Sequence, residues 1–210
     1  MVNVIIVSDD LDAMIGTNCT LSHQNFENEV DLNAANVIVL NGNLSTADEV
    51  QTAIGSFDGR RFILVAYSHG NPAALVSSVA ADGYIHSANS YFFSESLIYT
   101  NSCYSGTTLK NNLIAAGCGG YVGYTDEVRL PENEEDDILF INCENSGLIH
   151  FLNSGDSLSA SIKVMIQKYN DQYNAFVANN MNVAAAFLLH NLRCLTFYEN
   201  GTIDRSIYEN

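Results

Sequence analysis

Two stretches of this sequence end an apolar run in a side chain capable of proton transfer or nucleophilic attack. "RRFILVAYSHG" (Arg60 to Gly70) closes on Ser-His-Gly, and "SLIYTNSCYSG" (Ser96 to Gly106) closes on Ser-Cys-Tyr-Ser-Gly. A thiol is a poor nucleophile until it ionises, and a nearby imidazolium or helix N-terminus lowers its pKa. An imidazole can take that proton and later give it to a leaving amine. His69 and Cys103 together therefore point to acyl transfer, and the helix that starts soon after Cys103 is expected to favour the thiolate. Gly70 permits a tight turn and lets its N–H approach a substrate oxygen. With the Cys103 N–H it would form an oxyanion hole, a device typically worth about 3 to 4 kcal/mol per donor.

That chemistry requires both tips on one edge of one sheet. Short β-branched runs alternate with helical patterns, which predicts an α/β fold with a mostly parallel sheet. The strands are expected at Asn3–Ser8, Asn36–Asn41, Phe62–Ser68, Leu97–Asn101, Gly120–Tyr124 and Leu195–Tyr198. Several are continuously apolar, as strands covered on both faces should be. Helices are expected around Val50, Ala53, Ile54 and Phe57, capped by Ser45 or Thr46, and around Leu109 and Leu113, stopped by Gly117. Three more follow, over Asp136–Leu152, along the stripe Leu158, Ile162, Met165, Tyr169, Tyr173 and Phe176, and over Val183–Leu192. "ALVSSVAADGYIHSANS" reads as a β-hairpin turning at Asp82-Gly83, and "RLPENEEDD" (Arg129 to Asp137) as an exposed acidic loop. In such a sheet ligands bind at the carboxyl ends of the strands, where neighbouring tips lie about 5 Å apart.

Composition narrows the setting. The 210 residues fit one domain, 1–210, and 47% are hydrophobic, as in a globular chain. No run approaches the roughly 20 apolar residues of a membrane helix, and "MVNVIIVSDD" does not read as a signal segment. The formal charge of −16, with only eight Lys and Arg, argues against nucleic acid and suits a basic peptide or protein partner. The five cysteines are odd in number, irregularly spaced and without a CxxC, so neither a disulfide framework nor a zinc site is read from them. Reduced thiols and a cytoplasmic location are the expectation. Cys118, Cys143 and Cys194 show no partner histidine by pattern and are read as buried thiols. His23, His86, His150 and His190 are read as structural.

"YSHG" and "TNSCYSGTTL" resemble the His-Gly and Cys-Ser-Gly motifs of the caspase-like cysteine peptidases, which include metacaspases, gingipain-like enzymes and CHAT-domain proteases. "GYVGYTDEV" followed by "FLNSGDSLSASI" is similar to a CHAT pattern downstream of the cysteine. The likeness spans roughly Asn3 to Tyr173 and is specific only at the two motif blocks. It implies a caspase-like three-layer sandwich of about six strands, a His69–Cys103 dyad working through a thioester acyl-enzyme, and an oxyanion hole of Gly70 and Cys103. It also implies a protein or peptide substrate, a regulatory protein partner, and a place in a bacterial defence or cell-death pathway.

One departure bears on specificity. Asn101 stands two before the cysteine, where metacaspases keep an acidic residue for a basic P1 side chain. A carboxylate for P1 Arg or Lys must then come from elsewhere. Asp10, after the first strand, and Asp126 with Glu127, after the fifth, are the candidates. Arg129, before the acidic run, is a candidate self-cleavage point. By the same resemblance the carboxylates of this run are an alternative Ca²⁺ site, as some metacaspases require, although the run lacks the ligand spacing and glycine of an EF-hand loop; no other cofactor or metal is expected. The alternatives are a catalytically silent caspase-like scaffold and a flavodoxin-like binding domain. The latter would want a phosphate-cradling loop after the first strand, where "SDDLDAMIG" is acidic instead.

Overall fold

A computed structural model describes residues 1–31, 35–131 and 133–209. The chain opens with β1 (Val2–Ser8), α1 (Gly16–Glu29), β2 (Ala35–Asn41), α2 (Ala47–Gly55) and β3 (Ile63–Tyr67). A small antiparallel sheet follows, made of β4 (His69–Asn71), β5 (Ala74–Ser77) and β6 (Ala80–His86). Then come β7 (Leu97–Thr100), α3 (Thr108–Ala115), β8 (Gly120–Tyr124), α4 (Glu134–Ser154), α5 (Leu158–Ala178), α6 (Asn182–Cys194) and β9 (Leu195–Glu199). The main sheet has the order β2-β1-β3-β7-β8-β9 and is parallel except for β9, which runs against β8.

Alternation along each strand divides the core in two. Val4 and Ile6 of β1, Val65 and Tyr67 of β3, and Tyr99 of β7 face a layer built by α1, α4, α5 and α6. Ile5, Val7, Leu64, Ala66 and Ile98 face α2, α3 and the small sheet. Both faces of the central strands are thus dry, which is why their sequences are apolar without a break. The result is a three-layer α/β sandwich, as the alternating pattern implies. All six main-sheet strands fall within a residue or so of their expected positions. Among the described residues no helix is long and apolar enough to cross a membrane.

One helix goes unannounced in the sequence, and two local expectations require correction. Helix α1 has no apolar stripe to announce it, because its buried face is Gly16, Cys19, Ser22, Asn25 and Phe26. Amide contacts hold it to α4: Asn145 Nδ2 donates to Ser22 O at 2.8 Å and Asn25 Oδ1 at 2.9 Å. The hairpin turns at Ser78 and Val79, not at Asp82-Gly83, since Ser77 pairs with Ala80. Asp9 decides this by accepting both the N–H (2.8 Å) and the Oγ–H (2.6 Å) of Ser78. Gly83 instead lies within β6 at φ +99°, close against Ala74, and its signal marks an irregular strand. Finally, the acidic run is not all loop, because α4 already begins at Glu134.

Candidate active site

β3 and β7 are neighbouring parallel strands, paired up to Ala66 and Thr100. Their chains therefore leave the sheet side by side on the same edge. Hydroxyls join the two exits. Ser102 Oγ donates to Ser68 O at 2.7 Å, its N–H donates to Thr100 Oγ1 at 3.1 Å, and Ser68 Oγ lies 2.6 Å from Tyr84 OH. Ser102 and Ser68 are both buried, so each is satisfied by its neighbours and not by water. Gly70 completes the join, since a Cβ there would collide with Cys103 O and stand 2.8 Å from Ser102 Cβ. The glycine after His69 is required by backbone contact between the two tips.

After Cys103 the chain reverses sharply. Tyr104 takes φ +57°, a left-handed conformation unfavourable for a bulky residue. The turn is held by Tyr104 N–H to Asp126 O (3.0 Å) and Gly106 N–H to Tyr124 O (2.7 Å). α3 starts at Thr108, but its first amides are directed elsewhere. Leu109 N–H donates to Pro72 O at 2.7 Å and Lys110 N–H to Ser105 O at 3.3 Å. The expectation that this helix lowers the thiol pKa is therefore corrected.

His69 and Cys103 line one cleft of about 370 Å³. Its floor and walls include Asn101, Glu144, Val128, Ile15 and Phe187. His69 Nε2 lies 3.2 Å from Asp12 Oδ2, and Asp12 Oδ1 accepts the N–H groups of Met14 (2.7 Å) and Ile15 (3.0 Å). Burial opposes ionisation of Asp12, but those amides and His69 prevail and keep its pKa below the usual value. Cys103 Sγ accepts the Val128 N–H at 3.3 Å. Burial leads in pushing the Cys103 thiol up, with Glu127 and Glu144 adding to it against the amides of Val128 and Cys103 itself. Of the five cysteines, four are buried and Cys103 alone is partly exposed.

The acidic candidates sort differently from expectation. Asp10 and Asp126 are not among the cleft residues, whereas Glu127 is. Asp126 accepts the Glu127 N–H at 2.8 Å, and this bond, with Tyr104, His190 and Arg129 adding, keeps its pKa low. The carboxylate behind Asn101 comes from α4. Asn101 Nδ2 donates to Glu144 Oε2 at 3.0 Å, and Glu144 is 1% exposed. Burial pushes Glu144 up to about 7, with Asp137 adding to the rise and Asn101 and Asn191 opposing it. Arg129 also lines the cleft and pairs with Glu127 at 3.0 Å. Its backbone is held on both sides by Asn191, N–H to Oδ1 and O from Nδ2, each at 2.8 Å. Arg129 therefore sits in an exposed loop, as expected, and that loop's backbone is anchored to α6 through Asn191.

Asp12 and Glu144 were not evident from the sequence. Asp12 had a local signal, an aspartate just ahead of a helix start, but α1 itself was hidden. Glu144 had none, because only the docking of α4 aims it at Asn101. A further correction concerns Cys194, whose Sγ lies 3.5 Å from His190 Nε2, a histidine one helical turn away. With Asp126 these two form a cluster whose ligand atoms all lie within 4.8 Å of one another. Protein-family models and curated proteins offer no match to this chain.

Proposed function

We propose that this chain is a cysteine endopeptidase of the caspase-like type, cleaving after Arg or Lys. The observation that carries the reading is the meeting of His69, Cys103 and the buried Glu144 in one cleft. His69 is the general base. With Nε2 engaged by Asp12, Nδ1 carries the free lone pair that takes the Cys103 proton. Such a base is needed because the thiol's raised pKa leaves it protonated near neutrality. The thiolate adds to the scissile carbonyl, and the oxyanion is met by the N–H groups of Gly70 and Cys103. His69 then protonates the amine as the C–N bond breaks and a thioester forms. Water, deprotonated by His69, releases the acid and restores the thiol.

For P1, the apolar sides of Ile15, Val128 and Phe187 suit an alkyl stem, while Glu144 suits the cationic end. Asn18 Nδ2, also at the cleft, is buried and lacks a hydrogen-bond partner among the described residues, which leaves a donor for a substrate carbonyl. The substrate is a basic segment of protein or peptide, met in the reducing cytoplasm, where a regulatory partner would control access to the cleft.

The test is a peptide-library digest by wild type, Cys103→Ala and Glu144→Gln. Wild type should cut after Arg and Lys, and Cys103→Ala should cut nothing; cleavage persisting there would place the nucleophile elsewhere. Glu144→Gln should keep activity but lose about 10- to 100-fold in kcat/KM for basic P1, the worth of one charged hydrogen bond. One observation favours a second reading, a catalytically silent scaffold: His69 is held by Asp12 and Cys103 by Val128, with no hydrogen bond between the pair among the described residues. A wild type that cuts no peptide would select it.

A further inference from the structure

Outside the dyad, the end of α6 and the tip of β8 bring together three side chains of metal-binding type. We propose that Asp126, His190 and Cys194 form a binding site for a thiophilic divalent cation, zinc by preference. The ligand set is mixed O, N and S, which suits zinc and not a hard cation such as Ca²⁺. Two of the three are already spaced for it. A tetrahedral zinc with S at about 2.3 Å and N at about 2.05 Å separates those atoms by about 3.6 Å, and Cys194 Sγ and His190 Nε2 stand 3.5 Å apart. All three donors fall within 4.8 Å, so a change in the Asp126 rotamer closes the site.

The backbone that carries the ligands is fixed. His190 and Cys194 are one turn apart on α6, which passes without a loop into β9. β9 pairs with β8 up to Leu195 opposite Tyr124, and Thr125 donates to Cys194 O through its N–H (2.8 Å) and its hydroxyl (3.1 Å). That register sets Asp126 beside Cys194. Binding displaces the thiol proton of Cys194 to solvent and moves the His190 proton from Nε2 to Nδ1. The present Nε2 contact with Glu127 O (2.9 Å) is given up, and that carbonyl or a water supplies the fourth ligand. The site adjoins the cleft without sharing its residues for chemistry. Asp126 O holds Tyr104 N–H, directly after Cys103, and Val128, two residues on, donates to the Cys103 sulfur. Zinc here would clamp the segment that sets the nucleophile's surroundings.

The proposal is independent of the peptidase reading and is tested in a chain that lacks the cleft thiol. Zinc titration calorimetry on the full chain carrying Cys103→Ala should show one ion per chain. Adding Cys194→Ser, His190→Ala or Asp126→Asn should each weaken binding by at least about tenfold. Co²⁺ in the same protein should give a thiolate charge-transfer absorption that disappears with Cys194→Ser. Should the buried Cys194 substitution prevent folding, the half-buried His190 variant and the Co²⁺ spectrum decide. No uptake by Cys103→Ala, uptake unchanged by His190→Ala, or uptake abolished by His69→Ala instead would each overturn the site.

Discussion

Glu144 is the residue whose ionisation the fold controls most directly. Ordinarily near 4.5, it is pushed up to about 7 by burial, so at intermediate pH the folded chain holds a proton that the unfolded chain has released. The resulting stabilisation is complete below about 4.5 and is lost as pH rises through 7. Wild type should therefore lose on the order of 3 kcal/mol relative to Glu144→Gln between about pH 4 and pH 8. Urea denaturation of both proteins across that range measures it, and a difference that does not move with pH would show that folding leaves the Glu144 pKa unshifted. The same titration adds the charge of Glu144 to the cleft as pH rises through about 7. Burial opposes ionisation of Asp12, but two amides and His69 outweigh it and hold its pKa below the usual value, which leaves a carboxylate to orient the His69 ring.

At the scale of elements, the site depends on how closely two strand exits approach. Ser102, Ser68 and Thr100 tie β3 to β7 by hydroxyl contacts, and Gly70 allows the backbones to touch. Gly70→Ala drives a methyl into Cys103 O, where only backbone movement gives relief. It should destabilise the protein by roughly 1 to 3 kcal/mol and displace Cys103 from its Val128 contact, lowering peptide cleavage. Gly55→Ala, at the end of α2 with open space around it, should be neutral or stabilising by up to about 1 kcal/mol. Equal effects of the two substitutions on the urea midpoint would remove the packing role assigned to Gly70. The layers behave alike in this respect: α1 and α4 meet through Asn25, Asn142 and Asn145, so the wall of the cleft rests on amide pairing as well as on apolar packing.

Across the whole molecule the formal charge is −16, and a field of one sign attracts a basic segment before contact. Raising ionic strength from about 0.1 M to about 1 M shortens the screening length from about 10 Å to about 3 Å. kcat/KM for a peptide with several Lys or Arg should then fall about tenfold, while a peptide basic only at P1 should change little. Equal salt dependence of the two would confine electrostatic recognition to Glu144. The main sheet serves the same end by bringing the exits of β1, β3, β7 and β8 to one rim, through Asp12, His69, Cys103 and Glu127 respectively.

Among the described residues, the sequence by itself determined the main sheet, five of the six α-helices and the ends of β3 and β7 that carry His69 and Cys103, because apolar runs and periodic stripes are local signals that burial imposes residue by residue. Of the two caps read for α2 it is Thr46 that accepts an amide three residues on, and Ser157 does the same for α5. Tertiary structure alone decided which carboxylates reach the cleft. Asp9, Asp10 and Asp12 are equivalent as letters, yet Asp9 holds the Ser78 turn, Asp10 lies outside the cleft and Asp12 meets His69. Glu144 looks like any acidic residue within a helix until α4 packs on the sheet and closes it off from water. His190 and Cys194 stand at i, i+4, but the sequence reading did not pair them, and only the β8–β9 register puts Asp126 beside them. Charge placement is set by contacts between residues remote along the chain, and no local pattern encodes those distances.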